Sequence, residues 1–170
     1  MKGDREAMGI DAITIEAVQH ATDEVRRLID ELDRTLAQGY SPEQRHGLPV
    51  GAIFQPHVRF FIARLDGVAM GCGGVALFRT FGEVKRMYVR DNARGRGIGR
   101  ALLSRIELET NDRGLDVLRL ETGVQQLAAI RLYERTGFRR CGAFGEYALM
   151  APQAIATSVF FEKQLAVERP

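Results

Sequence analysis

The segment Val89-Arg90-Asp91-Asn92-Ala93-Arg94-Gly95-Arg96-Gly97-Ile98-Gly99-Arg100-Ala101-Leu102-Leu103 restricts this chain to a small set of folds. It joins a β-rich run to a helical run through a turn with glycine at every second position, so a strand must feed straight into a helix. Glycine lets the main chain approach a ligand closely, and the first N–H groups of the helix have no partner within it. The helix dipole adds about half a positive charge at that end, and the arginines add whole ones. Such a turn is a cradle for phosphate. A dinucleotide fingerprint would need G-x-G-x-x-G, but after Gly95 and Gly97 the third position is Arg100. A nucleotide P-loop would need Gly-Lys-Ser/Thr, and Gly99 is followed by Arg100.

The flanking sequence supplies the rest of the architecture. Ile13 to Ala17 reads as a short strand. Asp23 is placed to cap a helix carrying Val25, Leu28, Ile29, Leu32 and Leu36 on one face, with Gly39 beyond its end. Pro42, Gly47, Pro49, Gly51 and Pro56 make 40–56 a long irregular connection with room for a short helix. His57–Leu65 and Val68–Phe78 alternate as strands about an Asp66-Gly67 hairpin turn. Gly71, Gly73 and Gly74 predict a bulge or the close approach of another backbone. Glu83–Val89 is a further strand, Gly97–Asn111 a helix, Val117–Thr122 a buried strand and Gln125–Thr136 a helix stopped by Gly137. Phe138–Arg140 starts another strand, 141–156 loops out, and Ser158–Leu165 is the last strand. Strands come first and then alternate with helices, which predicts a mixed sheet with helices on its faces in one domain over residues 1–170.

Charge is unevenly spread. Residues 85–100 hold Lys85, Arg86, Arg90, Arg94, Arg96 and Arg100 against the single acid Asp91. That window is +5 in a chain whose total is +2, so the remainder is −3. A compact basic segment on such a body suits a small polyanion and argues against a nucleic-acid partner. Cys72 and Cys141 form no CxxC pair, and His20, His46 and His57 are scattered, so no metal site is expected and both thiols read as reduced. No apolar run approaches the roughly 20 residues of a membrane span, and residues 1–11 lack a leader pattern. A soluble cytoplasmic protein is expected.

The pattern that fits the glycine turn is R-x-x-G-x-G, here Arg94-Gly95-Arg96-Gly97-Ile98-Gly99. With it come Glu83-Val84-Lys85-Arg86-Met87-Tyr88-Val89 upstream and Ala129-Ile130-Arg131-Leu132-Tyr133-Glu134-Arg135-Thr136-Gly137-Phe138 downstream. In this order and spacing the chain resembles the GNAT superfamily of N-acetyltransferases over about residues 13–165. The resemblance implies an α/β (α+β) fold with a mixed, mostly antiparallel central sheet and helices on both faces. It implies acetyl-CoA as co-substrate without a metal, and a homodimer is common among such proteins. The pyrophosphate would be held by main-chain N–H groups of Arg94, Gly95, Arg96, Gly97, Ile98, Gly99 and Arg100. The pantetheine arm would pair like an added strand with Met87, Tyr88 and Val89. Many members carry Asn three residues before the Ala of A-I-x-L-Y; this chain has Gln126, whose amide can make a similar contact.

The reaction expected from this resemblance is acetyl transfer to a primary amine. An alkylamine of pKa near 10 is only ~0.1% neutral at pH 7, a cost of about 4 kcal/mol, so a base or a water path is required. Glu83 occupies the strand position of the catalytic glutamate in some members; the plain alternative is a solvent-facing strand residue paired with a base. Tyr133 occupies the family's acid position beside the leaving thiolate; the alternative is a core aromatic. Segments 40–57 and 141–156 would select the acceptor; Arg59, Arg79 and Tyr147 are candidates to meet an acceptor carboxylate, with surface roles the favoured reading for each. The expected acceptor is a small-molecule amine, an amino acid or polyamine derivative. The alternatives are a macromolecular acceptor (protein N-terminus, lysine or aminoacyl-tRNA) and a non-catalytic acyl-CoA-binding module.

Overall fold

The computed structural model describes residues 12–166. Seven strands form one sheet: β1 (Ile13–Val18), β2 (Val58–Leu65), β3 (Val68–Leu77), β4 (Gly82–Val89), β5 (Val117–Gly123), β6 (Arg139–Cys141) and β7 (Ser158–Gln164). Their spatial order is β1-β2-β3-β4-β5-β7-β6, and every pairing is antiparallel except the parallel β4–β5 contact. Helix α1 (Asp23–Ala37) packs Val25, Leu28 and Ile29 on one face, against Phe60, Ile62, Ala69 and Cys72. Helices α2 (Ile98–Asp112) and α3 (Leu127–Arg135) cover the other, where Ile98, Leu102, Leu103, Ile106, Ile130 and Tyr133 meet Phe61, Val75, Val84, Leu118 and Phe161.

The element order follows the sequence expectation, with local corrections. Thr22, not Asp23, caps α1: its hydroxyl accepts from the Val25 N–H at 3.2 Å. Asp23 and Glu24 instead lie in the first turn, where their charge meets the positive end of the dipole. Residues 40–56 fold into two short 3₁₀ turns, Pro42–Gln44 and Val50–Ala52. The stretch expected to loop out between β6 and β7 holds a 3₁₀ turn, Gly145–Leu149, and a one-turn helix α4, Pro152–Ile155. Phe144 and Tyr147 draw it inward by burying themselves against Phe160.

Three backbone features shape the centre of the sheet. Asp66 and Gly67 both have positive φ (49° and 83°), as the tight β2–β3 hairpin requires. A Cβ on Gly74 would lie 2.6 Å from the Arg59 carbonyl oxygen, which is the close backbone approach the glycine cluster predicted. On β4 the register with β3 slips between Cys72 and Gly74, so that Arg86 and Met87 together oppose Gly73. This bulge has Arg86 at φ 57°. Beyond it the sheet opens: β4 and β5 pair only at Gly82–Leu118 and Glu83–Arg119, although both strands run on.

Candidate active site

The bulge decides which side chains share a face. Val84, Met87 and Val89 belong to the α2 side of the sheet. Arg86, Tyr88 and Arg90 face α1, bonding to Asp33, Glu31 and Glu31 respectively. In a regular strand Glu83 and Lys85 would point opposite to Arg86; the extra residue puts all three on the same side. They line one pocket of about 110 Å³ beside the opening between β4 and β5. Tyr40, Arg45, His46 and Gly47 reach it from after α1, Glu121 and Gln126 from β5 and the start of α3, and Tyr133 and Tyr147 from further along the chain.

At its centre is a closed triangle. Tyr147 donates its hydroxyl hydrogen to Glu83 Oε1 at 2.6 Å, Lys85 Nζ donates to the Tyr147 oxygen at 2.8 Å, and Lys85 Nζ lies 2.7 Å from Glu83 Oε1. The Glu83 and Lys85 side chains are only 6% and 13% exposed. Glu83 is therefore not the solvent-facing strand residue of the plain alternative, because β4 lies in the middle of the sheet with Tyr147 packed over it. Tyr147 is likewise buried, correcting its assignment to the surface: its ring packs against Phe144, Phe160 and His46. Burial, followed by the charge of Glu83, pushes its phenol well above the ordinary tyrosine range.

Glu121 adds a second carboxyl group. It accepts from Ser158 Oγ at 2.7 Å, and burial raises its affinity for a proton above that of an ordinary glutamate. Tyr133 packs its ring on Phe138 and Phe161, as the core-aromatic alternative has it, and the residue also lines the pocket. Burial, then the nearby charge of Glu121, raises its phenol so that it stays protonated. Tyr40 accepts from the Gln125 N–H at 2.8 Å, and its hydroxyl occupies the place a Cβ on Gly123 would need.

The glycine turn lies at the end of β4. A short 3₁₀ turn, Asp91–Ala93, leads to Gly95 at φ 76° and Gly97 at φ 86°, the latter standing as the N-terminal cap of α2 with no side-chain capping bond. Ile98 is buried in the core, so only its main chain faces the turn. Gly99 has a packing role: a Cβ there would lie 2.7 Å from Leu132 Cδ2 of α3. Arg94 holds Asp91 at 3.0 Å and donates to the Val89 carbonyl at 3.3 Å. The Arg90 N–H bonds the Met70 carbonyl, so by strand alternation Tyr88 turns its main chain to β3 while Met87 and Val89 turn theirs to the opening. The Tyr88 side chain faces away, its hydroxyl donating to Glu31 at 3.2 Å.

The basic segment is thus divided three ways. Lys85 enters the triangle, Arg86 and Arg90 pair with α1 at 2.8 Å to Asp33 and Glu31, and only the stretch from Arg94 onward belongs to the glycine turn. Arg59 pairs with Glu109, and neither it nor Arg79 lines the pocket. Sequence reasoning missed Glu121, Lys85, Arg45 and His46 as pocket residues. Glu121 follows Leu118-Arg119-Leu120 in a strand that already holds a charge, so nothing in the local pattern marks it out. Among the described residues no group of His, Cys, Asp and Glu gathers as a metal site, and no helix is long and apolar enough to cross a membrane.

Comparison with known proteins agrees with this architecture. The model of the acetyltransferase (GNAT) family matches residues 20–138. The chain is 44% identical over 155 residues to an IAA acetyltransferase of Azospirillum brasilense, covering 90% of this chain and 98% of that protein. It is 30% identical over 145 residues to an uncharacterised N-acetyltransferase of Bacillus subtilis, covering 84% and 93%. Among solved structures, an acyl-CoA N-acyltransferase of Klebsiella pneumoniae superposes with a TM-score of 0.72 at 35% identity, covering 91% of this chain and 98% of that one. The glycine turn, the opening between β4 and β5 and these matches have one meaning: the chain belongs to the GNAT family of N-acetyltransferases.

Proposed function

We propose that this enzyme transfers an acetyl group from acetyl-CoA directly to the primary amine of a small molecule. The observation that carries this is one pocket in which two carboxyl groups, Glu83 and Glu121, and the phenol of Tyr133 meet beside the opening between β4 and β5. The likeness to a protein named for a small-molecule acceptor, IAA, supports the class of acceptor. So does the small size of the pocket, which suits a compact group better than a folded surface.

The residues present fit the co-substrate. Gly95 and Gly97 adopt positive φ, and a Cβ on Gly95 would meet nothing within 4 Å, which leaves room for a ligand at the head of α2; the Arg94 N–H is taken by the Asp91 carbonyl at 3.4 Å, so the proposed donors are main-chain N–H groups between Gly95 and Arg100. Those groups would hold the pyrophosphate. The main-chain groups of Met87 and Val89 would hold the pantetheine arm, and Gln126, at the start of α3, would contact its amides. Acetyl-CoA supplies an activated acyl group and a thiolate leaving group of ordinary pKa near 8.5.

The chain's own residues manage the protons. An incoming ammonium must lose a proton before its nitrogen can attack. Glu83 is the proposed acceptor of that proton, held in place by Lys85 and Tyr147. Glu121, with its raised proton affinity, is a second carboxyl group through which the proton leaves. Tyr133 is proposed to donate a hydrogen bond to the leaving sulfur. Its raised phenol keeps it a donor throughout the working range, and makes stabilisation of the thiolate its role ahead of full proton transfer. No acyl-enzyme is needed: Cys72 is fully buried, its thiol pushed up to about 12 by burial, and Cys141 does not line the pocket.

The test is release of free thiol from acetyl-CoA across a panel of amines, amino acids and N-terminal peptides, with calorimetric titration of CoA. Turnover on small amines that falls about 10²–10⁴-fold in Tyr133→Phe, with CoA binding retained, is the expected result. Turnover confined to peptides would shift the acceptor to a macromolecule. Absence of CoA binding would overturn the proposal.

A further inference from the structure

Two cations in the pocket take no part in the proton chemistry. Arg45 lines it from the turn after α1, and its side chain forms no ion pair or hydrogen bond among the described residues; its Nε is buried without a partner. Arg86 lines it from the β4 bulge with its side chain only 5% exposed. One of its nitrogens, Nη2, bonds Asp33 Oδ1 at 2.8 Å, and its Nε too is buried without a partner. Buried guanidinium donors left unmade are costly.

The backbone around them is built for this placement. Arg86 adopts φ 57°, a left-handed conformation that residues with a Cβ rarely take up. Gly47, in the same turn as Arg45, lies where a Cβ would come 2.1 Å from Arg86 Nη1, so the absence of a side chain there is what admits the guanidinium. Arg45 has its planar fork of N–H donors unused and Arg86 has part of its own, and such a fork matches a carboxylate, which accepts two parallel bonds. The same pocket offers Glu83 and Glu121 to an ammonium group.

Resting on the reading above, we propose that the acceptor is an amine that also carries a carboxylate, held by Arg45 and Arg86 while its amino group faces Glu83 and Glu121. Amino acids of either the α or the ω kind fit this description. Polyamines, with no anion to offer, do not.

The experiment compares matched triplets: an amino acid, its carboxamide and the amine lacking the carboxyl group, with the aminoalkyl phosphonate as a fourth arm. Each is assayed for kcat/KM by thiol release and for binding to the CoA-loaded enzyme by calorimetry. The carboxylate is expected to exceed its carboxamide by about 10–100-fold, chiefly through KM, as loss of a charge-assisted bond predicts. In Arg45→Met, checked for folding by thermal melting, that ratio is expected to fall towards one, and Gly47→Ala, which displaces the Arg86 guanidinium, to lower it as well. Amides or polyamines used as well as the carboxylates, a phosphonate preferred over them, or a ratio untouched in both variants would overturn the inference while leaving the acetyltransferase reading intact. So would CoA binding with no carboxylate bound. Failure to bind CoA at all would overturn both.

Discussion

Lys85→Met isolates what the triangle contributes to the fold. The substitution removes a cation 2.7 Å from Glu83 Oε1 in a place where the two side chains are 13% and 6% exposed. An exposed pair of this kind is worth at most about 1 kcal/mol, but taking one partner from a buried pair costs about 3–5 kcal/mol because the other charge is stranded. Tyr147 still donates to Glu83 at 2.6 Å after the change, so the cost belongs at the lower end, about 3 kcal/mol. For a chain of this length that lowers Tm by about 6–12 °C. Glu83→Gln strands Lys85 instead and is expected to cost a similar amount. The double variant Glu83→Gln/Lys85→Met strands neither charge, and is expected to recover most of the loss. Urea unfolding of the four proteins, with m unchanged, closes the double-mutant cycle. A cost below about 1 kcal/mol for Lys85→Met, or additive single losses, would refute the claim that this pair is buried and coupled.

Three further outcomes follow from the same structure. Burial raises the Glu121 carboxyl above its unfolded value, so its contribution is fully present below that unfolded value and is lost as pH rises through the raised native one. Glu121→Gln removes this titration, so its stability relative to wild type should improve from pH 4 to pH 8 in urea unfolding; a constant difference would contradict the assignment. Gly97→Ala places a Cβ on a residue at φ 86° and should cost about 1–2 kcal/mol in thermal melting, with weaker CoA binding by calorimetry. In the folded protein Cys72, fully buried and pushed up to about 12, should resist a thiol reagent far longer than the partly exposed Cys141, as mass mapping of the labelled sites would report.

Most of the fold was legible in the sequence because it rests on short-range physics. The β-rich apolar run in 58–65, the Asp66-Gly67 turn, the helical spacing of Val25, Leu28, Ile29 and Leu32, and Gly137 at φ 94° each report a local preference that the structure keeps. The misplaced cap at Asp23 was one residue off, since Thr22 and Asp23 both suit that position. The folding of 141–156 was missed because its turns are held by Phe144 and Tyr147 packing on a strand that comes later in the chain. The pocket was legible only in part. Glu83, Tyr133 and the glycine turn announce themselves by motif, whereas Arg45, His46, Lys85 and Glu121 carry no local pattern that separates them from surface charges.

Residues near one another in the chain are enough to specify the strand-to-helix glycine turn, the order of elements and the family. Tertiary structure alone decided which charges do what. The basic run from Lys85 to Arg100 looks uniform, yet one extra residue at Arg86 aligns Glu83, Lys85 and Arg86 on one face of β4. Helix α1 then takes Arg86 and Arg90 with Asp33 and Glu31, and Tyr147, 64 residues away from Glu83, closes the triangle. Burial and the identity of a charge's partner are properties of long-range packing, and those two quantities set the chemistry of a carboxyl group or a guanidinium.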